Sequence, residues 1–584
     1  MTENSKVQLP DMKIRMSFTI LVNGKEIDTS FQVVSINISR EFNKISSAEI
    51  VMLDGDVAKG DFEISGGSEF VIGNELTVEA GYDEKNEIIF KGIIVKHAIK
   101  TDSEDSQLII TAKHAACKMA MKRCSTVYSD MTDSEIFSQI ASKYGLKVET
   151  EDTAHAHESL TQFNSSDWDF MNMRAEANAM LLYTANDKIV IHQPKPGGET
   201  KLEIHYGTTI FDFEAEIDGR TSFADYKATS WNYIEQELDE VEEKSGIGET
   251  AQGNLPISEL ASSLGNDSRE MQVPAPMNDQ GALNNWLNSM ILLDNLSRIT
   301  GSVCVYGIGD MMPGDIIDVQ RLGDRFNGKT LVSSVEQKIE DGSWQTTLKF
   351  GLDATVYARK YDDVNELKAS GMLAAVNGLQ IAKVVQIEDD PLGEDRVMVR
   401  FPLFVPGEDT FWARVATLDA GNERGVCFFP EVDDEVVVGF VNDHPNSAVI
   451  LGMLHSSSLP SPVKADKKNP LKGIYTREKI KLEFDDEKKS INIETPGGNK
   501  VIISDDAQGV LLEDQNGNRI VMNGDGITVE SAKALNLKAA NDVTIEGANV
   551  NIKAQAAFKA EGASGAEVSS SGNAVIKGAM VQIN

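Results

Sequence analysis

The feature that most constrains this chain is its last stretch, GITVESAKALNLKAANDVTIEGANVNIKAQAAFKAEGASGAEVSSSGNAVIKGAMVQIN, which alternates apolar and polar residues over about sixty positions with few large side chains and no proline. Apolar pairs recur at Ile527/Val529, Leu535/Leu537, Val543/Ile545, Val550/Ile552, Ala556/Phe558, Ala566/Val568, Ala574/Ile576 and Val581/Ile583. A spacing of two puts both members of a pair on one face of a strand. Successive pairs start six to ten residues apart, enough for one strand and one corner, and glycines such as Gly547, Gly562, Gly572 and Gly578 suit the corners. Earlier pairs extend the series back through Ile480/Leu482, Ile491/Ile493, Val501/Ile503, Val510/Leu512 and Ile520/Met522. One strand per repeat cannot close a coil on itself, because solenoid repeats run to roughly 20 residues or more and stack a thicker interior. Three copies wound together solve the problem. Each supplies one face of a triangular prism, and slim Val, Ile and Ala side chains meet on its axis. Pairing each strand with a neighbouring chain also removes open edges. The expected axis residues are Val529, Leu535, Leu537, Val543, Ile545, Val550 and Ile552.

Charge is distributed unevenly. The 584 residues carry a formal net charge of −36, yet from Lys464 onward 16 basic residues stand against 17 acidic ones, so the excess acid lies upstream. Phosphate neutralisation needs basic surface, which argues against nucleic acid as a partner. The first residues, MTENSKVQLPDMKIRMSF, lack the basic-then-apolar order of a secretory leader, and no run of about 18 apolar residues suggests a membrane span. The four cysteines, Cys117, Cys124, Cys304 and Cys427, form no CxxC pair and suit reduced, buried thiols.

Upstream of the repeats, residues 1–360 read as a β-rich region with α+β insertions. FTILVNGKEI predicts a hairpin about Asn23-Gly24. SDMTDSEIFSQIASKYG predicts a helix capped at Asp130 or Thr132 and ending near Gly145. A second helix is expected in SSDWDFMNMRAEANAM and a third in GALNNWLNSMILLDNLSR. Residues 235–280, opening on the acidic EQELDEVEEK, read as a long loop, and Tyr357–Gln380 as a helical linker. Residues 381–456 carry short strands between Gly, Pro and Asp turns, the pattern of a small closed barrel of the OB type. A Ser/Pro/Lys linker at 457–473 leads to the repeats at 474–584.

In RVMVRFP, FWARVATLDAG, GVCFFPEVDDEVVVGFV and HPNSAVILGML the barrel resembles that of VgrG-type spikes of type VI secretion systems and their relatives in contractile phage tails and extracellular contractile injection systems. KLEFDDEKKSINIETPGGNKVIISDD and NGNRIVMNGDGITVES resemble the family's transition from barrel to prism, and VEAGYDEKNEIIFKGII, QFNSSDWDFMNMRAEANAM and PGDIIDVQRL resemble its hub. The resemblance implies a homotrimer, two similar tube-like barrels in each hub, and a pseudo-sixfold ring seated on a hexameric tail tube. It further implies baseplate proteins, effector cargo and a target membrane as partners, no cofactor, and a protein made in the cytoplasm, built into the injection particle and delivered outside the cell. Some relatives carry a lysozyme domain between barrel and needle, for which Ser456–Pro470 is too short, and some end in a His-x-His metal tip, whereas no histidine follows His455. A cap of the PAAR-repeat kind is therefore expected on Gly578, Ala579, Met580, Val581, Gln582, Ile583 and Asn584. His155-Ala-His157, without a third ligand nearby in sequence, is expected to hold no metal, and Asp167 and Asp169 are expected at a helix N-terminus rather than in acid–base work. No GxSxG, HExxH or P-loop occurs, so no enzyme is expected. The alternatives are a phage-like hub–spike with cell-wall hydrolase activity and a single-chain β-helical protein acting on carbohydrate or serving as an adhesin.

Overall fold

Strand-forming alternation dominates the chain, and the computed structural model is mainly β accordingly. It describes residues 15–103, 105–274, 280–403 and 410–583. The chain divides into two units, one of residues 1–377 with 442–445 and one of residues 378–441 with 446–584.

In the first unit a thirteen-stranded sheet carries two cores. One gathers Ile36, Ile50, Leu76, Val78, Phe90 and Ile110; the other gathers Ile204, Val303, Val319, Val335, Leu348 and Phe350. The strand Gly328–Glu340 joins the halves, because it pairs antiparallel both with Ser343–Phe350 and with Val33–Glu41. The two cores thus lie on one continuous sheet. The expected hairpin forms between Met16–Val22 and Lys25–Glu26, with Asn23 at φ 52° and Gly24 at φ 76°. Two consecutive left-handed residues suit the Asn-Gly pair.

Between the halves lies an α+β insertion. Its first long helix, Asp133–Ser142, starts at a capping box in which Thr132 accepts from the Glu135 backbone N–H and Glu135 accepts from that of Thr132. The second, Asp167–Ala177, is capped by Ser166, which accepts from the Asp169 N–H. Both helices pack Ile136, Phe137, Ile140, Trp168 and Met171 into a third core.

Two expectations from sequence are corrected here. Residues 235–280 are not a long loop. Glu237–Lys244 and Ser268–Val273 flank Asp225–Asn232 in a three-stranded sheet, and Ile257–Leu264 is a helix. Val241, Met271 and Val273 pack with Tyr226 and Ala228 against Leu283, Leu287 and Ile291 of the helix Gln280–Ser297. The acidic run hid a strand because every second residue faces solvent, where carboxylates cost nothing. The linker expected to be helical has only one helical turn, Tyr357–Lys360, and a short 3-10 segment, Lys368–Gly371. The Arg123 guanidinium takes the carbonyls of Asp363, Val364 and Asn365, which a helix would have needed for its own ladder.

In the second unit, Gln380–Gln386, Val397–Arg400, Thr410–Val415, Glu435–Phe440 and Ala448–Met453 close a barrel around Val384, Val397, Val399, Val436, Val438 and Ile450. Beyond it, seven strands between Leu471 and Glu530 form an antiparallel meander. This corrects the expectation that every strand pairs with another chain: up to Glu530 each pairs with its own neighbour in sequence. Short turns reverse the chain before it can cross to another.

Glu176, at the end of the second helix, anchors the segment that leaves the first unit's sheet. Its two carboxyl oxygens accept the Tyr357 N–H at 3.2 and 3.0 Å, while the Tyr357 hydroxyl donates to Asp169 at 2.8 Å. Burial pushes Glu176 up to about 7. A carboxyl raised in the folded state favours folding fully below its unfolded value and loses that contribution as pH rises through about 7. Glu176→Gln keeps an acceptor without the charge. Thermal melts of the full chain at pH 5.5 and 8.5 are expected to show the variant gaining about 1–3 kcal/mol relative to wild type on going to the higher pH. An unchanged difference between the two pH values counts against this assignment.

Candidate functional site

The meander's cross-strand register builds two different faces. In each five-residue strand, positions two and four share one face. Leu482 stands opposite Ile493, Ile493 opposite Val501, Val501 opposite Leu512, Leu512 opposite Ile520 and Ile520 opposite Val529. A parallel column runs Phe484, Ile491, Ile503, Val510, Met522, Ile527. The first strand's apolar pair is Leu482/Phe484 rather than Ile480/Leu482, since Ile480 closes the preceding turn through its carbonyl to the Thr476 N–H. One chain covers this two-column apolar face only in part: Phe484, Ile493, Ile503, Leu512 and Met522 are exposed, while Leu482, Ile491, Val501, Val510 and Ile520 are half-buried. An uncovered apolar strip of this length marks an interface.

On the opposite face runs a column that sequence reasoning missed. Lys481, Glu494, Lys500, Glu513, Arg519 and Glu530 stand opposite one another in successive strands, so the sign alternates at every step. Lys481 reaches Glu494 at 2.9 Å, Lys500 reaches Glu513 at 3.3 Å and Arg519 reaches Glu530 at 2.5 Å. A slip of one residue turns every apolar side chain to the charged face, and a slip of one strand sets like charges opposite each other. The signal was present in the sequence, as an opposite charge at each end of the loops TPGGN and DQNGN. In the second loop Asp514 accepts the N–H groups of Asn516 and Asn518 and the Asn518 side chain, whose hydrogen bonds bring its carboxyl down to about 2.

After Glu530 the described chain has no strand, and its apolar pairs stand open. Val529, Leu535, Leu537, Val543, Ile545, Val550 and Ile552 are between 49% and 71% exposed. Gly578, Ala579, Met580, Val581, Gln582 and Ile583 are exposed too; Asn584 lies outside the described residues.

The first unit's polar clusters serve packing. Asp133, 2% exposed, accepts from Arg174 through two bonds of 2.8 Å, from Asn178 at 2.8 Å, and lies 3.0 Å from His157 Nε2. Burial alone would raise its carboxyl, but these partners, Arg174 foremost, hold it below the ordinary range. His157 is thereby engaged, with the His155 ring packed edge-on against it. Asp167 begins its helix and accepts from Tyr144 at 2.9 Å and Gln162 at 3.0 Å; Asp169 belongs to the same first turn. Among the described residues no group of three or more His, Cys, Asp or Glu is arranged to hold a metal.

Comparison with known proteins adds three family matches. Residues 13–341, more than half of the chain, match the Alg8 N-terminal domain. Residues 380–455 match the type VI secretion system/phage-baseplate injector OB domain, and residues 490–584 the phage baseplate V C-terminal trimerisation domain. No curated protein matches the chain. Among solved structures, the 43 kDa tail protein of prophage MuSo2 from Shewanella oneidensis is similar at 10% identity and TM-score 0.45, over 58% of this chain and 99% of that one. An Escherichia coli component of the type VI secretion system is similar at 13% identity and TM-score 0.39, over 74% of this chain and 99% of that one. A chain of the Francisella PdpA–VgrG complex is similar at 8% identity and TM-score 0.37, over 90% of this chain and 89% of that one.

The charge column yields a test of register. Glu513→Lys places a cation between Lys500 and Arg519. It is expected to lower the unfolding temperature at low salt, with the loss shrinking in high salt. Inverting the whole column (Lys481→Glu, Glu494→Lys, Lys500→Glu, Glu513→Lys, Arg519→Glu, Glu530→Lys) restores alternation at every step and is expected to recover the loss. Equal melting of all three proteins at low salt contradicts the register argument.

Proposed function

Since the chain belongs to the family of the Alg8 N-terminal domain and continues into an injector OB domain and a baseplate trimerisation domain, we propose that it works as the homotrimeric spike at the tip of a contractile injection machine. The observation that carries this reading is the apolar strip from Leu482 to Ile583, half-buried to exposed along its described length in one chain. Two further copies would bury it, with Val529, Leu535, Leu537, Val543, Ile545, Val550 and Ile552 on the axis. The match of residues 490–584 to a trimerisation domain supports that arrangement.

In this reading the hub seats on a hexameric tail tube among baseplate proteins, and the needle enters the target envelope mechanically, carrying effector cargo. Force then replaces chemistry, and the protein is no enzyme. Residues 457–470 hold neither helix nor strand, which leaves the connection without a catalytic insert. The protein is made in the cytoplasm and leaves with the particle. Exposed Met580, Val581 and Ile583, together with Gly578, Ala579, Gln582 and Asn584, form the seat of a PAAR-type cap bound by strand-edge pairing.

Light scattering under native conditions is expected to give three times the chain mass, and a monomer rejects the proposal. Val550→Asp would set three carboxylates together on a dry axis, which costs several kcal/mol or more. It is expected to dissociate or unfold the needle, whereas Asn551→Asp, on the opposite face of the chain, is expected to be nearly silent. Equal effects of the two would show that the assigned face is wrong. Deleting Met580–Asn584 is expected to leave the trimer intact and abolish co-purification of the cap.

A further inference from the structure

The three-stranded sheet of the first unit has one face packed and one face bare. Tyr226 and Ala228 turn to the helix Gln280–Ser297, while Lys227, Thr229 and Trp231 turn away from it. On the bare face Trp231 stands opposite Leu238, Thr229 opposite Glu240 and Lys227 opposite Glu242. Trp231 and Leu238 are 42% and 57% exposed, and Ile234 in the adjoining turn is 68% exposed. The turn is held in shape by the Asn232 carboxamide oxygen, which accepts from the N–H groups of Ile234 and Glu235. Among the described residues no strand pairs with the outer edge of Glu237–Lys244.

We propose that this hairpin is a docking site for an extended basic segment of another polypeptide, added as a strand to Glu237–Lys244 with an apolar side chain seated against Trp231 and Leu238. An open edge offers main-chain partners to any strand, so the side chains choose which one comes. The edge strand reads ELDEVEEK, with five carboxylates and one lysine. Like charges exclude a second copy of the same edge, and they repel an anionic membrane from the apolar tip. Acid on an edge also serves to prevent aggregation, but that role does not account for a Trp, a Leu and an Ile exposed at its end. Lys227 already holds Glu240 at 2.8 Å and Glu242 at 3.4 Å, so a basic strand with an apolar end satisfies the edge, the remaining excess of carboxylate and the tip together. This inference does not depend on the spike reading, since it rests on the first unit alone.

The test uses the full chain and fluorescein-labelled peptides read by anisotropy. Three peptides are compared: one alternating Lys and Val with a terminal Leu, the same peptide with alternate amides N-methylated, and an equally charged Lys/Gly/Ser peptide. The Lys/Val peptide is expected to bind, and the other two at least tenfold more weakly. Leu238→Ser, Ile234→Ser and the pair Glu240→Gln/Glu242→Gln, all at exposed positions, are each expected to weaken binding by about three- to tenfold without moving the melting temperature. No binding, equal binding of the Lys/Gly/Ser or N-methylated peptide, or unchanged affinity in all three variants overturns the proposal. Stronger association with phosphatidylserine vesicles than with the Lys/Val peptide overturns it too.

Discussion

An apolar strip that one chain cannot bury governs this protein. Over seven strands the meander hides no side of itself: one face carries two columns of Leu, Ile, Val, Phe and Met, and the other an alternating charge column. Burial of apolar surface contributes about 25 cal/mol per Å², and one chain realises that contribution only in part along this strip. The charge column adds direction to the same constraint. It gains little energy at a surface, but it makes the wrong strand register repulsive, so the apolar side chains of successive strands stay on one face.

The first unit follows the opposite logic. Its cores close within one chain, and two of its buried carboxylates are paired inside it: Asp133 by Arg174 and Asn178, and Asp294 by Arg269. The long strand Gly328–Glu340 binds the two halves of the sheet into one body.

Glu176 and Tyr357, two groups with large shifts, sit at a packing junction: Glu176 accepts the Tyr357 N–H, and the Tyr357 hydroxyl donates to Asp169. The family matches agree in kind: the two whose descriptions print a role describe an injector barrel and a trimerisation segment.

Much of this was written in the sequence, because periodicity and turn chemistry are local. The Asn23-Gly24 hairpin, the Thr132 capping box, the barrel strands and the two-residue spacing of the repeats all follow from neighbours in the chain. The sequence alone also required that the last hundred residues find apolar cover outside themselves. Only the tertiary structure decided how the acidic run Glu237–Lys244 is used, since Val241 becomes a core residue only when Leu283 and Leu287, some forty residues on, arrive beside it. It also decided that Arg123 would take the carbonyls of Asp363 to Asn365 and keep that segment from coiling, an exchange between residues far apart in sequence. Likewise it showed that the first seven needle strands fold on their own neighbours, which sets Lys481, Glu494, Lys500, Glu513, Arg519 and Glu530 in one column. Which face a side chain takes is local; which residue meets it there depends on contacts that no short window of sequence contains.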